Sequence, residues 1–304
     1  MRIFVTGARG LLGRSLLATE TDAPLEFVGG AREPGQIGDH PVVAFDLEQH
    51  DMMSSALEAC RPDAVIHTAA LTNVDRCETE PEFGRRVNSD AVTVLAETCE
   101  RIGASLIHLS TDYVFDGQAG PYVETDPTHP LSSYGRVKLD SEAPVLAMTR
   151  GLVVRTLWLY GHIDGARRNL VTWPIESLAK GEPLRIVDDQ WGNPTSASDL
   201  AQALLELLRA GATGLFHFGG SDYMTRLALV RRIAAYFGLD ASEVESMKTA
   251  DAGQAATRPL RSGLRSDRIS QTIGREPMSL EEGLERLAEQ PAFRQDFGPL
   301  LPNA

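Results

Sequence analysis

The chain begins with an apolar, β-rich run, Arg2-Ile-Phe-Val-Thr6, that breaks into Gly7-Ala-Arg-Gly10-Leu-Leu-Gly13 and continues as a helical stretch over 14–20. This order of strand, glycine loop and helix restricts the fold more than any other feature. Glycines at this spacing allow a tight turn and close backbone approach, and the helix start offers free N–H groups to an anion. In that context G-x-x-G-x-x-G reads as a dinucleotide-binding unit, with Gly7, Gly10 and Gly13 forming the pyrophosphate turn.

Such a unit needs parallel partners, and the next residues supply them. Strands are predicted over 25–28, 42–45, 64–70, 104–109 and 151–156, with helices over 51–60 and 82–101 between them. The 64–70 run is nearly uninterrupted apolar sequence, as buried parallel strands are. His67 within it reads as a packed strand residue, and Asn88 in the long helix as structural or cofactor-lining. The fold class is therefore α/β, a doubly wound parallel Rossmann-type sheet. A nucleotide domain is expected over 1–160, completed by about 184–218, with a small interleaved substrate lobe from about 161–183 and 219–304. Within the later part, helices are read over 167–180, 198–209 and 224–237, and strands over 184–187 and 215–218.

The end of the second strand bears on cofactor choice. An NAD-selective fold usually places an acid there for the ribose 2′-OH; this chain has Gly29-Gly30-Ala31-Arg32. Arg32, helped by Arg9 in the loop, suits a 2′-phosphate. NADP(H) is favoured, and NAD(H) stays open. Asp46 after the third strand is placed to reach the adenine, and the small Ala69 and Ala70 let a cofactor pass close by.

The chemistry is expected at Leu131-Ser-Ser-Tyr-Gly-Arg-Val-Lys-Leu-Asp-Ser-Glu142. Tyr134 and Lys138 fall four residues apart, on one face of a helix. A cation beside a phenol favours the phenolate and brings its pKa toward the working pH. The pair can then protonate a ketone oxygen as hydride arrives at carbon. Thr111 ends the 104–109 strand region, where ligands bind in open α/β sheets. Its hydroxyl is expected to hydrogen-bond the same carbonyl, with Ser110 among the cofactor residues.

Charge and cysteines narrow the partners. A formal net charge of −13 over 304 residues argues against a general nucleic-acid or membrane-surface role. No apolar run reaches the ~18 residues of a membrane span. Cys60, Cys77 and Cys99 lack metal-ligand spacing and suit a reducing, cytoplasmic setting; no metal is expected. Arg258, Arg261, Arg265 and Arg268 concentrate positive charge in this acidic chain, which suits either a solvated loop or contact with a diphosphate. The pattern R-P-L-R-S-G-L selects Arg258 or Arg261 for the substrate.

Taken together, T-G-x-x-G-x-x-G, V-I-H-T-A-A-L-T-N-V-D, S-T-D-Y-V-F-D-G, P-Y-x-E-x-D-x-x-x-P and Y-G-x-x-K resemble the extended short-chain dehydrogenase/reductases, and among them the dTDP-4-dehydrorhamnose reductase family. The resemblance continues through 155–161, 189–195 and 258–264. It implies NADP(H)-dependent reduction of the 4-keto group of a nucleotide-bound deoxysugar, and leaves room for a homodimer. It also implies that Tyr134 donates the proton, Lys138 tunes it and holds the nicotinamide ribose, and Thr111 orients the carbonyl with Asp112 beside it. Leu11, Leu12, Asp46, Leu47, Ala69, Ala70 and Leu71 would line the cofactor, and Trp158 would lie against the sugar. Leu-Leu-Gly and Arg32 also resemble the NADP-binding regulatory subunit of methionine adenosyltransferase; a sugar-nucleotide epimerase is a further alternative.

Overall fold

In the computed structural model, which describes residues 1–20, 24–165 and 168–301, the N-terminal strand sits mid-sheet. β1 (Arg2–Thr6) has β2 (Glu26–Ala31) on one side and β5 (Ala64–His67) on the other, both parallel. Beyond β5 come β6 (Ser105–Thr111), β7 (Gly151–Thr156) and the edge strand Gly214–Phe218, all parallel. Beyond β2 lies β4 (His40–Ala44), parallel, and then β3 (Gly35–Ile37), an antiparallel edge. This eight-stranded sheet is the doubly wound one expected, and its strand order reverses between β1 and β5.

Alternation along the strands builds two cores. Ile3 and Val5 of β1 join Ile66, Ile107, Leu152 and Val154 on one face, while Phe4 joins Val65, Leu106 and Val153 on the other. The first face is covered by helices Leu11–Leu17 and Ala197–Arg209, the second by His50–Cys60 and Ala91–Ile102. Later residues form their own core around Tyr160, Ile175, Leu229, Leu284 and Phe293.

Several elements differ from the sequence reading. The helix read over 14–20 starts earlier and spans Leu11–Leu17. β2 runs through Gly29 and Gly30 to Ala31, and an edge hairpin through β3 was not anticipated. β5 ends at His67 because Thr68 and Ala69 turn their groups onto β1: the Thr68 hydroxyl donates to Thr6 O at 2.7 Å and Ala69 N to Thr6 Oγ1 at 3.2 Å. The 82–101 helix is broken into Pro81–Arg85, a π-helical turn Arg86–Asp90, and Ala91–Ile102. The helix read over 167–180 spans Thr172–Ala179, residue 167 lying outside the described residues. Of the 184–218 stretch, Gly214–Phe218 joins the main sheet, whereas Leu184–Val187 pairs with Val244–Met247. Met224–Thr225 is a short strand, and the helix after it is Arg226–Phe237.

Candidate active site

The glycine loop is shaped by close approach as much as by its turn. Gly7 has φ +65°, and a Cβ there would lie 2.9 Å from the Ala69 backbone. A Cβ on Gly13 would lie 2.3 Å from Gly7 O. Side chains at either position would push apart β1, its helix and the loop after β5, so the loop forms a bare backbone cradle at the switch point. Arg9 extends from it across the turn after β2, with Nε 3.3 Å from Glu33 O and Nη2 3.4 Å from Pro34 O. Arg32 starts that same turn and is exposed. The two arginines therefore flank one turn, beyond the end of β2.

The opposite wall of the cradle is the segment after β5. Ala69, Ala70 and Leu71 are half-buried. Asn88, in the π-helical turn, accepts from Leu71 N at 2.8 Å and donates to Leu71 O at 2.9 Å. Asn88 thus pins this wall, which gives the π-turn a purpose. Asp46 folds back on its own turn, accepting from Glu48 N at 3.1 Å, and Leu47 is buried in the core. Leu11 is half-buried and Leu12 buried at the helix start.

Tyr134 and Lys138 lie on the helix Ser133–Asp140, as expected, and both are buried. The Ser132 hydroxyl caps this helix by accepting from Gly135 N at 3.2 Å. A Cβ on Gly135 would lie 2.2 Å from Tyr113 O, so glycine there lets the helix press onto the turn after β6. That contact brings Tyr134 to Thr111. Burial pushes the Tyr134 phenol well up, and the Thr111 hydroxyl acts in the opposite direction.

The Lys138 Nζ lies 3.2 Å from His108 Nε2. Burial brings the Lys138 ammonium down to about 8, against the pull of Glu142. His108 Nε2 also meets Ser141 Oγ at 2.8 Å, while its Nδ1 is buried without a partner. His67 is packed as expected, sharing a 2.7 Å hydrogen bond with Thr6 Oγ1.

Below this group lies an ion pair that the sequence reading missed. Arg155 donates to both Glu142 oxygens, at 2.8 and 2.7 Å, with both side chains 4% exposed. Ser110 donates to the same carboxylate at 2.5 Å, so its hydroxyl proton is held by the buried pair. Only the i,i+4 spacing of Lys138 and Glu142 hinted at this link.

Thr111 and Asp112 are buried where β6 meets the turn. Thr111 Oγ1 donates to Asp112 Oδ1 at 3.0 Å, and Ser262 donates to Asp112 Oδ2. Ser262 arrives there because its segment zips onto 117–122: Arg261 N donates to Gly117 O at 2.9 Å and Tyr122 N to Gly263 O at 2.7 Å. In the same segment Arg258 pairs with Asp75 at 2.8 Å, its side chain 8% exposed. The Arg261 side chain is exposed. Trp158 has φ +45°, a strained value for a bulky residue, and the Arg226 guanidinium lies 4.4 Å over its ring. Nothing in the apolar spacing of its helix singles out Arg226, whose Nε donates to Gln190 Oε1 at 2.8 Å.

Among the described residues no cluster of three His, Cys, Asp or Glu could hold a metal, and no helix is long and apolar enough to cross a membrane.

Comparison with known proteins agrees with this geometry. The family described as RmlD substrate binding domain matches residues 1–292. A probable low-salt glycan biosynthesis reductase from Haloferax volcanii is 35% identical over 292 residues, covering 94% of this chain and 97% of that protein. A dTDP-4-dehydrorhamnose reductase from Sinorhizobium fredii is 32% identical over 300 residues, covering 94% and 96%. The crystal structure of the Bacillus anthracis dTDP-4-dehydrorhamnose reductase in complex with NADP superposes with a TM-score of 0.82 at 28% identity, covering 94% of this chain and 98% of that one. Fold, cradle and nearly full-length similarity together show that this chain belongs to the RmlD substrate binding domain family, that of the dTDP-4-dehydrorhamnose reductases.

Proposed function

We propose that this protein is an NADP(H)-dependent reductase of the 4-keto group of a nucleotide-activated deoxysugar, similar to dTDP-4-dehydrorhamnose reductase. One observation carries the reading most: Thr111, Tyr134 and Lys138 are buried together at the C-terminal end of β6, in the sheet whose strand order reverses at the glycine cradle.

The residues present fit the nicotinamide cofactor. Glycine at 7 and 13 lets β1, its helix and the loop after β5 close up around a bare backbone cradle, and Arg9 and Arg32 flank the turn where a 2′-phosphate would sit. Lys138 suits the nicotinamide ribose, and Asn88 fixes the wall at Leu71. When bound, NADPH supplies the hydride.

The chain's own work is proton and charge placement. Tyr134, kept protonated by burial, donates its proton to the carbonyl oxygen. Lys138 then stabilises the phenolate left behind, and the Glu142 carboxylate favours its charged form. The substrate's diphosphate is assigned to the exposed Arg261, and Arg258 holds the segment through Asp75. Three free cysteines suit a reducing cytoplasm.

The test is Tyr134→Phe, which keeps the ring and removes the proton. Turnover of a nucleotide 4-keto sugar should fall by about 10²-fold or more with NADPH binding retained. Near-normal turnover would place the acid elsewhere.

A further inference from the structure

The Thr111 hydroxyl has one proton, and the Asp112 carboxylate and the Tyr134 phenol oxygen both compete for it. Thr111 Oγ1 donates to Asp112 Oδ1 at 3.0 Å and accepts from Tyr113 N at 3.2 Å. Asp112 is 1% exposed, and its other oxygen accepts from Ser262. A hydrogen bond to a carboxylate is about twice as strong as one between neutral groups. A ketone oxygen therefore competes poorly for the Thr111 proton while Asp112 is ionised.

We propose that Asp112 is a positioning residue that sets the direction of the Thr111 hydroxyl, balanced by Ser262, so that Thr111 donates to the substrate carbonyl only when Asp112 carries a proton. This rests on the reading of Thr111 and Tyr134 as the carbonyl site.

Donor counting defines two states. With Asp112 ionised, Thr111 and Ser262 both donate to it, and Thr111 offers Tyr134 and the substrate only a lone pair. With Asp112 protonated, its own O–H can be donated to one of the two hydroxyl oxygens. The Thr111 proton is then free to turn outward, and the carbonyl oxygen can accept from both Tyr134 and Thr111.

The surroundings place this change near working pH. Burial lifts the Asp112 carboxyl to about 6, opposed by the Ser262 and Thr111 hydroxyls and by the Arg226 guanidinium from the helix Arg226–Phe237. Tyr113 and Tyr134 both feel its negative charge, which raises their phenols. Lys138, brought down to about 8, titrates well above this range. Ser262 is held by the backbone pairing of its segment to 117–122, so the balance at Asp112 depends on a residue distant in sequence.

The experiment uses the full chain saturated with NADP⁺ and has two arms. In the first, the Asp112 carboxyl is followed by ¹³C NMR in wild type, Thr111→Ala and Ser262→Ala. Each substitution removes a donor to the carboxylate, so the titration should move to higher pH in both. In the second, kcat on a working nucleotide 4-keto sugar is measured from acid pH to neutrality. Wild-type kcat should fall roughly ten-fold as Asp112 ionises, the scale of one lost hydrogen bond in the transition state. Ser262→Ala should shift that fall to higher pH, and Asp112→Asn should abolish it. An unmoved Asp112 titration in Thr111→Ala, or a fall retained in Asp112→Asn, overturns the proposal. The first arm needs no turnover. If wild type reduces no keto sugar, the functional reading fails, yet the hydrogen-bond assignment is still decided.

Discussion

The buried pair beneath the active site allows a quantitative prediction. Glu142→Gln keeps the shape of the side chain and removes its charge. Arg155 then loses its carboxylate partner while 4% exposed, with His217 Nε2 3.4 Å from Nη1 and the Phe115 ring 5.2 Å from Cζ as remaining neighbours. Breaking a buried pair by removing one partner costs about 3–5 kcal/mol, because the other charge stays buried. The retained amide oxygen can still accept one bond, which places the expected loss near ~3 kcal/mol. At roughly 2–4 °C per kcal/mol, Tm should drop by about 6–12 °C. Replacing both residues with apolar ones, Glu142→Leu with Arg155→Met, should cost less than either single change, since no uncompensated charge remains. Lys138 gives a second readout: without the Glu142 charge its ammonium should titrate below about 8. Denaturant unfolding of the two singles and the double measures the first effect, and ¹³C NMR of Lys138 the second. Single-variant losses that simply add, with an unmoved Lys138, would show that Glu142 and Arg155 are not coupled and that the Glu142 charge does not reach Lys138.

Arg32→Ala should weaken NADPH binding and leave NADH nearly unchanged, because only the 2′-phosphate gains a charge-assisted contact; equal losses in calorimetric titrations would count against it. Asn88→Ala frees both backbone groups of Leu71; it should weaken binding of NADPH and NADH alike by roughly ten-fold, and unchanged affinities would remove Asn88 from the cofactor wall. Asp112 also shapes stability against pH. Its folded carboxyl is held at about 6 against an ordinary 3.8, so between those values the fold keeps a proton the unfolded chain has lost. Wild-type stability should therefore fall by about 3 kcal/mol relative to Asp112→Asn as pH rises through that window, and parallel stability curves would contradict this.

What the sequence made legible follows from what is local. The glycine loop, the apolar run of β5 and the Tyr134–Lys138 spacing each depend on neighbouring residues; the loop and the helical pair fall where expected, and β5 begins where expected but stops at His67. Features set by partners distant in sequence were missed. Ser262 meets Asp112 across 150 positions, and Arg155 meets Glu142 from an adjacent strand. Arg226 sits on a helix whose periodicity signals only burial, and its place over Trp158 is a tertiary fact. Charge clustering and the R-P-L-R-S-G-L pattern single out Arg258, but neither shows that Asp75 takes up its charge. Proximity along one helix face likewise does not reveal that His108 stands beside the Lys138 ammonium.

The central claim is hydride delivery to the 4-keto carbon of a nucleotide sugar, and isotope transfer tests it most directly. Wild-type protein is incubated with NADPH deuterated at the transferable C4 position and a panel of nucleotide 4-keto-6-deoxysugars, and the sugar product is read by mass spectrometry and NMR. NADPH oxidation should be matched one to one by product carrying a single deuterium at sugar C4. Sugar conversion without net NADPH oxidation, as an epimerase gives, or cofactor binding with no product from any sugar, would contradict it.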